Sequence, residues 1–339
     1  MKKLLALALT LALALTLAAC GGSPSSDSTG GSGSATDSTG SGATAPEGAE
    51  GLVIGVSVMN AAADTYMTTH YETMDAYAKE LGVTLIQLDP VGDGTRQTNQ
   101  VQDLIEQGVD VIGIWAANSE TAVSSAKKVQ EAGIPCVAVN TPMAADADPY
   151  IVGFVGPDNY TESYLAAQKM VEDLGGKGNI VVIEGQSGRD NSTDRLNGML
   201  AAIEGTEIKI LDSQVGEYNH EESRTIMENY LTKYPSGEIV AVFCMDDTEC
   251  LGAIDALEAA GRLDEVAVYG AALGDYASVE YIEDGSIDGI SVQSPIIDAQ
   301  TCLDYLIKAA MGEDVPSELF IETPVGTPDN IASLGIVEW

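Results

Sequence analysis

Cationic and catalytic side chains are scarce in this sequence. Its 339 residues hold 15 Lys and Arg against 52 Asp and Glu, and only two histidines, His70 and His220. Nucleic-acid binding needs clustered Lys and Arg, so this balance argues against it, and the acidity reads as solubility outside the cell. His70 has no Ser or Cys partner in its segment and is expected to be exposed near a helix start. No GxxxxGK[ST], GxSxG or HExxH occurs, which leaves nucleotide, hydrolase and zinc-protease chemistry unsupported. GGKGN at 175–179 precedes a strand and is therefore a turn, not a dinucleotide fingerprint. Asp246 and Asp247 are paired carboxylates, but adjacent side chains seldom converge on one glycosidic bond. The five cysteines form neither a CxxC pair nor a Cys/His cluster. Cys136, Cys244, Cys250 and Cys302 are expected as free, buried thiols. No enzyme, cofactor or metal is expected.

The amino terminus carries Lys2 and Lys3, a Leu/Ala run over 4–19, then Cys20. A charged start, a short apolar stretch and small residues before a cut describe a signal peptide, 1–19, rather than a spanning helix of about 20 apolar residues. Leu17-Ala18-Ala19-Cys20 resembles the bacterial lipobox, which implies acylation of Cys20. Residues 21 to 50 are almost entirely Gly, Ser, Thr, Asp and Ala with two prolines, too little apolar surface to fold. With Cys20 they are expected to form a lipidated linker, 20–50, tethering the protein to the outer face of the bacterial cell membrane through the lipid alone. Without the two leader lysines the chain has 13 basic against 52 acidic residues, a net charge near −39.

The remaining body is large for one core and suits two lobes. Its organising stretch is 52–67, LVIGVSVMNAAADTYM: a strand apolar on both faces, a polar turn, then a helix. In open α/β sheets ligands bind at the carboxyl ends of the strands, which makes Asn60, Asp64, Tyr66 and Met67 the first candidates. The helix after them shows an apolar stripe through Met67, Tyr71, Met74, Ala78 and Leu81, closed by Gly82. Strands over 83–89, 109–115 and 134–139 alternate with helices over 95–107 and 119–132, a βαβ series that implies a parallel sheet. After a loop over 140–150 the series resumes, with helices near 159–174, 192–203, 220–234, 248–260 and 276–284. The strands between them fall at 180–184, 208–211, 239–245, 266–269 and 287–292. A helix over 295–311 and a strand over 319–323 follow, and the pattern does not say which lobe they join. Trp115 ends an apolar strand, where core packing and pocket floor are both open. Asp247 at a helix start is expected to cap it.

Several stretches together resemble the type I solute-binding proteins of ABC importers, in their ribose-binding branch. They are VQDLIEQGVDVIGI at 101–114, AGIPCVAVN at 132–140, VGPDN at 155–159, DRLNGM at 194–199, AVFCMDDTECLGA at 241–253 and VQSP at 292–295. The resemblance implies two Rossmann-like α/β lobes joined by a three-strand hinge, and one sugar-sized ligand between them that is handed to a membrane permease. The lobes are expected at 51–156 with 294–320, and at 157–293 with 321–339. Carried over by position, Tyr66 and Met67 replace the family's aromatic pair, and Asp64 replaces a polar Asn. Asn140 stands where a ring-hydroxyl Asp is usual, and Thr141 where an Arg often follows it. Arg195 keeps the Arg of the RxxG motif, on a polar turn facing the cleft without acidic neighbours. Tyr218 holds an aromatic position, Asp246 a polar one and Gln293 the hinge glutamine. YGAAL at 269–273 stands where GFD is usual, so a ligand-binding Asp is missing. The implied ligand is a monosaccharide or similar polar solute, and the implied protein a monomer that feeds a permease. A sensor of the same fold that presents its ligand to a membrane receptor is the alternative.

Overall fold

The computed structural model describes residues 46–336 and 338–339, so Cys20, the leader and most of the linker lie outside the described residues. In the first lobe, β1 (Val53–Ser57), β2 (Thr84–Leu88), β3 (Val111–Ile114), β4 (Cys136–Val139) and β5 (Gly153–Pro157) are separated by α1 (Thr65–Leu81), α2 (Gly94–Gln107) and α3 (Ser119–Glu131). The second contains α4 (Asn159–Asp173), β6 (Lys177–Glu184), α5 (Asp190–Ile203), β7 (Glu207–Val215), α6 (His220–Lys233), β8 (Ala241–Cys244), α7 (Asp247–Ala260), β9 (Ala267–Leu273), the short α8 (Val279–Glu283) and β10 (Gly289–Val292). The chain ends with α9 (Pro295–Ala310), β11 (Glu318–Ile321) and β12 (Val325–Gly326).

Among the described residues the strands form two six-stranded sheets, ordered β11-β5-β4-β3-β1-β2 and β12-β10-β9-β8-β6-β7. All pairings are parallel except β10 with β12. Parallel strands must be covered on both faces, and β3, β4, β8 and β10 are buried at every residue. The strand order reverses beside β1 in one sheet and beside β6 in the other, which opens a crevice at each carboxyl edge. The chain passes between the sheets three times: after β5, after β10 and after β11. The last two strands therefore serve both lobes, β11 beside β5 and β12 beside β10. Helix α9 returns to the first lobe, where Leu303, Leu306 and Ile307 pack with Met74, Ala78 and Val56.

Local chemistry sets the helix ends. Asp64, Asp93, Asn118, Asp158, Asn219 and Asp246 each cap a helix by accepting from its first backbone N–H groups. Gly82 ends α1 at φ 71°, as a left-handed C-terminal residue.

Four expectations need correction. His70 is 1% exposed, not a surface histidine, because the buried stripe of α1 runs Met67, His70, Met74, Ala78, Leu81 and leaves Tyr71 half-buried. Asp246, not Asp247, caps α7: β8 stops at Cys244, and Asp247 is already the first helical residue. The 140–150 loop ends in a short 3-10 turn, Ala145–Tyr150, and Lys177–Glu184 takes in half of the GGKGN turn as strand. The pair Val325–Gly326 is too short to leave a periodic signal. Cys136, Cys244, Cys250 and Cys302 are free and buried.

Candidate functional site

The site residues meet where the carboxyl ends of the two sheets face each other. On the first lobe, Tyr66 lies in the first turn of α1, and its ring meets Trp115 edge-on at 6.2 Å between centroids. Trp115, Met59 and Met67 form a small apolar cluster of their own beneath Tyr66, apart from the lobe cores. The Trp115 indole, 3% exposed, donates to Thr141 Oγ1 at 3.0 Å. It is thus neither lobe core nor open floor. It fixes the residue that follows Asn140.

Tyr66 Oη is the junction of the site. It donates to Asp298 Oδ2 at 2.7 Å and accepts from Gln293 Nε2 at 2.9 Å and from Asn140 Nδ2 at 3.2 Å. Asn140, at φ 58°, also donates to Asp298 at 2.6 Å. An Asn tolerates that left-handed backbone better than most residues. Asp298, fully buried on α9, supplies a carboxylate next to Asn140, where the sequence had suggested one was lost. Burial first, and Asp298 second, push the Tyr66 phenol well above its ordinary range. His70 Nε2 lies 3.6 Å from Asp298, and burial lowers its pKa against the pull of that carboxylate. His70, Asp298 and Cys302 place a nitrogen, an oxygen and a sulfur within 4.8 Å of one another, as a metal site would. The chemistry disfavours a metal there: both Asp298 oxygens already accept hydrogen bonds, and burial pushes the Cys302 thiol up, away from thiolate.

On the second lobe, Arg195 is not on a turn and not without an acidic neighbour. It sits inside α5, 5% exposed, with Nε 2.8 Å from Glu162 Oε1. Its terminal nitrogens donate to the Met245 carbonyl at 3.0 Å and to Gln293 Oε1 at 3.1 Å. Burial pushes the Glu162 carboxyl up to about 7, with Arg195 opposing. For Arg195, burial works against the charge, and Glu162, Tyr218 and Asp246 together outweigh it, so its pKa rises. A hydrogen-bonded chain therefore runs from Asp298 through Tyr66 and Gln293 to Arg195 and Glu162, across the hinge.

Tyr218, at φ 55°, bonds Ser192 Oγ at 2.8 Å, and the guanidiniums of Arg189 and Arg195 lie over its ring, 5.7 and 5.8 Å from the centroid. A Cβ on Gly185 would stand 2.4 Å from that ring, so a glycine is needed for Tyr218 to sit there. Asp246 caps α7 at 2.8 Å from the Glu249 N–H, and burial first, then Asp247, hold its carboxyl above the usual range. Asp247 accepts from Asp275 N–H and Ser278 Oγ. Glu249 accepts from the backbone of Met245 and Tyr218.

The structure thus joins Tyr66, Asn140, Gln293 and Arg195 in one network, with Met67 and Trp115 beneath it and Tyr218 and Asp246 on the opposite wall. Asp64 stands at the rim, exposed, with Oδ1 committed to the Met67 N–H. The two walls touch: Thr65 donates to Asp275 at 2.9 Å, Asn118 to the Gly188 carbonyl at 3.3 Å, and Arg189 to Thr141 Oγ1 at 3.5 Å. Sequence reading missed Asp298, Glu162 and Arg189. A signal existed for the first, since an acid inside the apolar helix IIDAQTCL is costly unless bonded.

Residues 54–314 match the periplasmic binding protein domain family. The xylitol-binding protein of Mycolicibacterium smegmatis is 29% identical over 279 residues, 82% of this chain and 78% of that protein. The D-ribose/D-allose-binding protein of Pseudomonas aeruginosa is 28% identical over 283 residues, 79% and 86% of the two chains. Among solved structures, an ABC transporter solute-binding protein from Bacillus halodurans with bound myo-inositol superposes at a TM-score of 0.77, with 29% identity over 85% of this chain and 99% of that one. The two parallel-dominated sheets, the triple crossing and the polar network between them agree with these matches. The chain belongs to the periplasmic binding protein family, as a type I, non-enzymatic solute-binding protein of the ribose-binding branch.

Proposed function

We propose that this protein is the extracytoplasmic binding lipoprotein of an ABC importer, anchored through Cys20, and that it holds one monosaccharide or polyol between its lobes for delivery to the permease. The carrying observation is the chain of hydrogen bonds from Asn140 and Tyr66 through Gln293 to Arg195, which gathers polar groups of both lobes and the hinge at one point. Sugar recognition needs that kind of surface: planar polar groups that pair with hydroxyls, beside aromatic faces for the ring. Asn140, Arg195, Asp246, Asp64 and Gln293 supply the first, and Tyr66, Trp115 and Tyr218 the second, with Met67 as a softer apolar contact. The relatives' names, xylitol-binding and D-ribose/D-allose-binding, support a neutral polyhydroxy ligand. The lobes act as 51–156 with 294–320 and 157–293 with 321–339, in a monomer that closes on its ligand at the three crossings.

Thermal unfolding of the full chain against xylitol, D-ribose, D-allose and myo-inositol tests this. A ligand present at about 100 times its Kd adds roughly 2.7 kcal/mol of stability, so at least one of these is expected to raise the melting temperature. No shift with any of them at millimolar concentration would contradict the reading.

A further inference from the structure

The two buried arginines of the second lobe are used differently. Arg195 spends its donors on Glu162, Met245 and Gln293. Arg189, just ahead of α5 and 7% exposed, has one hydrogen bond, the 3.5 Å contact to Thr141 Oγ1 on the opposite wall. Its Nε is buried without any partner, the one cationic nitrogen in that condition among the described residues apart from the ring of His70, which burial keeps neutral. A buried charged donor left unbonded is costly, so a fold seldom keeps one without a use for it. Two positions along, Asn191 is 6% exposed and its Oδ1 also has no partner. Neither residue belongs to a lobe core. Arg189 lies over Tyr218 and reaches Thr141, so it stands in the cleft itself.

We propose that Arg189 is a ligand-binding and specificity-determining residue of this site, and that it reads two adjacent hydroxyls of a neutral polyol or sugar. The inference rests on the sugar-binding reading above and deepens it. A guanidinium presents parallel N–H groups in a rigid fork, which suits a pair of neighbouring oxygens. Burial and the neighbouring Arg195 oppose the charge on that fork, and Tyr218, Asp64 and Asp246 favour it through space without hydrogen-bonding it, so its N–H groups are left for a ligand. The exposed carboxylate of Asp64 at the rim would repel an anionic ligand, which favours neutral hydroxyls as acceptors. Arg195, by contrast, is chiefly a brace: Glu162, Met245 and Gln293 take most of its N–H groups, and only the remainder is left for a ligand.

The test is calorimetric titration of the purified full chain with xylitol, D-ribose and myo-inositol as neutral probes and D-glucuronate as an acidic one, for wild type, Arg189→Ala and Arg189→Lys. Wild type is expected to bind at least one neutral probe more tightly than D-glucuronate. Arg189→Ala is expected to weaken that probe by about tenfold to a hundredfold, the worth of charge-assisted bonds, and Arg189→Lys to recover little of it. The melting temperature of ligand-free Arg189→Ala should equal or exceed that of wild type, because little is lost when an unpaired buried charge is removed. An affinity within threefold of wild type overturns the role of Arg189 while leaving the sugar-binding reading intact. A lowered ligand-free melting temperature with unchanged affinity makes Arg189 a second brace and overturns it equally. Tighter binding of D-glucuronate overturns the neutral class. If wild type binds none of the probes, the sugar-binding reading falls and this proposal with it.

Discussion

The two walls of the cleft solve different problems. The first-lobe wall is nearly uncharged: Tyr66, Trp115, Met67, Asn140 and Thr141, with Asp64 only at its rim and Asp298 buried behind it. The second-lobe wall is crowded with ionisable groups: Arg189, Arg195, Glu162, Asp246, Asp247 and Glu249, packed around Tyr218, with burial pushing the four acids toward their neutral forms. A flat neutral wall offers shape and stacking at little desolvation cost. An ionic wall offers strong, directional bonds, but only after its charges are balanced, since an unpaired charge in a dry site costs several kcal/mol. Most of the second wall's groups therefore bond to one another, and few are left for a ligand. Hence Arg189 differs from Arg195.

The comparison breaks most visibly at Glu162. Glu162→Ala leaves Arg195 buried without its acid and should cost about 3–5 kcal/mol in urea unfolding. A loss below about 1 kcal/mol would show that the second wall does not depend on that pair. The pH dependence sharpens the point. The Glu162 carboxyl is pushed up to about 7 in the folded state from an ordinary 4.5, so the fold keeps a proton that the unfolded chain has already released. Stability from this group is therefore full below about pH 4.5 and declines as pH rises to about 7. Glu162→Gln should flatten that decline, and an unchanged slope would remove Glu162 as its source.

Next in size is Asp298→Asn. It replaces an acceptor of charge-assisted bonds from Tyr66 and Asn140 by an amide, and should cost roughly 1.5–3 kcal/mol. Because Asp298 lies on α9 behind the first wall, affinity for a bound sugar should fall along with stability, through a loosened Tyr66 and Asn140. Unchanged chemical unfolding would mean that the carboxylate does not hold them.

The smallest effect is expected at Gly185→Ala. The added methyl would stand 2.4 Å from the Tyr218 ring, so the ring must shift off its place, at a cost of about 1 kcal/mol of stability. Loss of its aromatic contact, worth about 0.5–1.5 kcal/mol, predicts a twofold to tenfold weaker ligand. Unaltered affinity would place Tyr218 outside the site.

Much of this architecture was legible because strands buried on both faces and glycine-closed helices leave strong local signals. Val111–Ile114 and Cys136–Val139 are apolar throughout, and Gly82 and Gly108 end helices in the left-handed conformation. The errors came from phase and from distance. His70 and Tyr71 are neighbours in sequence, and only tertiary packing decided that the imidazole lies on the buried stripe. Asp246 and Asp247 exchanged roles on a one-residue difference in where β8 ends. The partner of Arg195 lies 33 residues away on α4 and that of Asn140 lies 158 residues away on α9, separations at which no local pattern points from one to the other. Arg189 was invisible for a related reason: what marks it is a missing partner, and only a structure shows that.

The central claim is that ligand binds against both walls of the cleft, and Trp115 reports on it most directly. The chain has two tryptophans, so Trp339→Phe leaves Trp115, beneath Tyr66, as the sole indole. Titrating that variant with the sugar or polyol that binds wild type should change the Trp115 emission saturably, with a midpoint equal to the calorimetric Kd. A calorimetric signal that saturates while the Trp115 emission stays flat would mean that the ligand binds elsewhere, and would contradict the account.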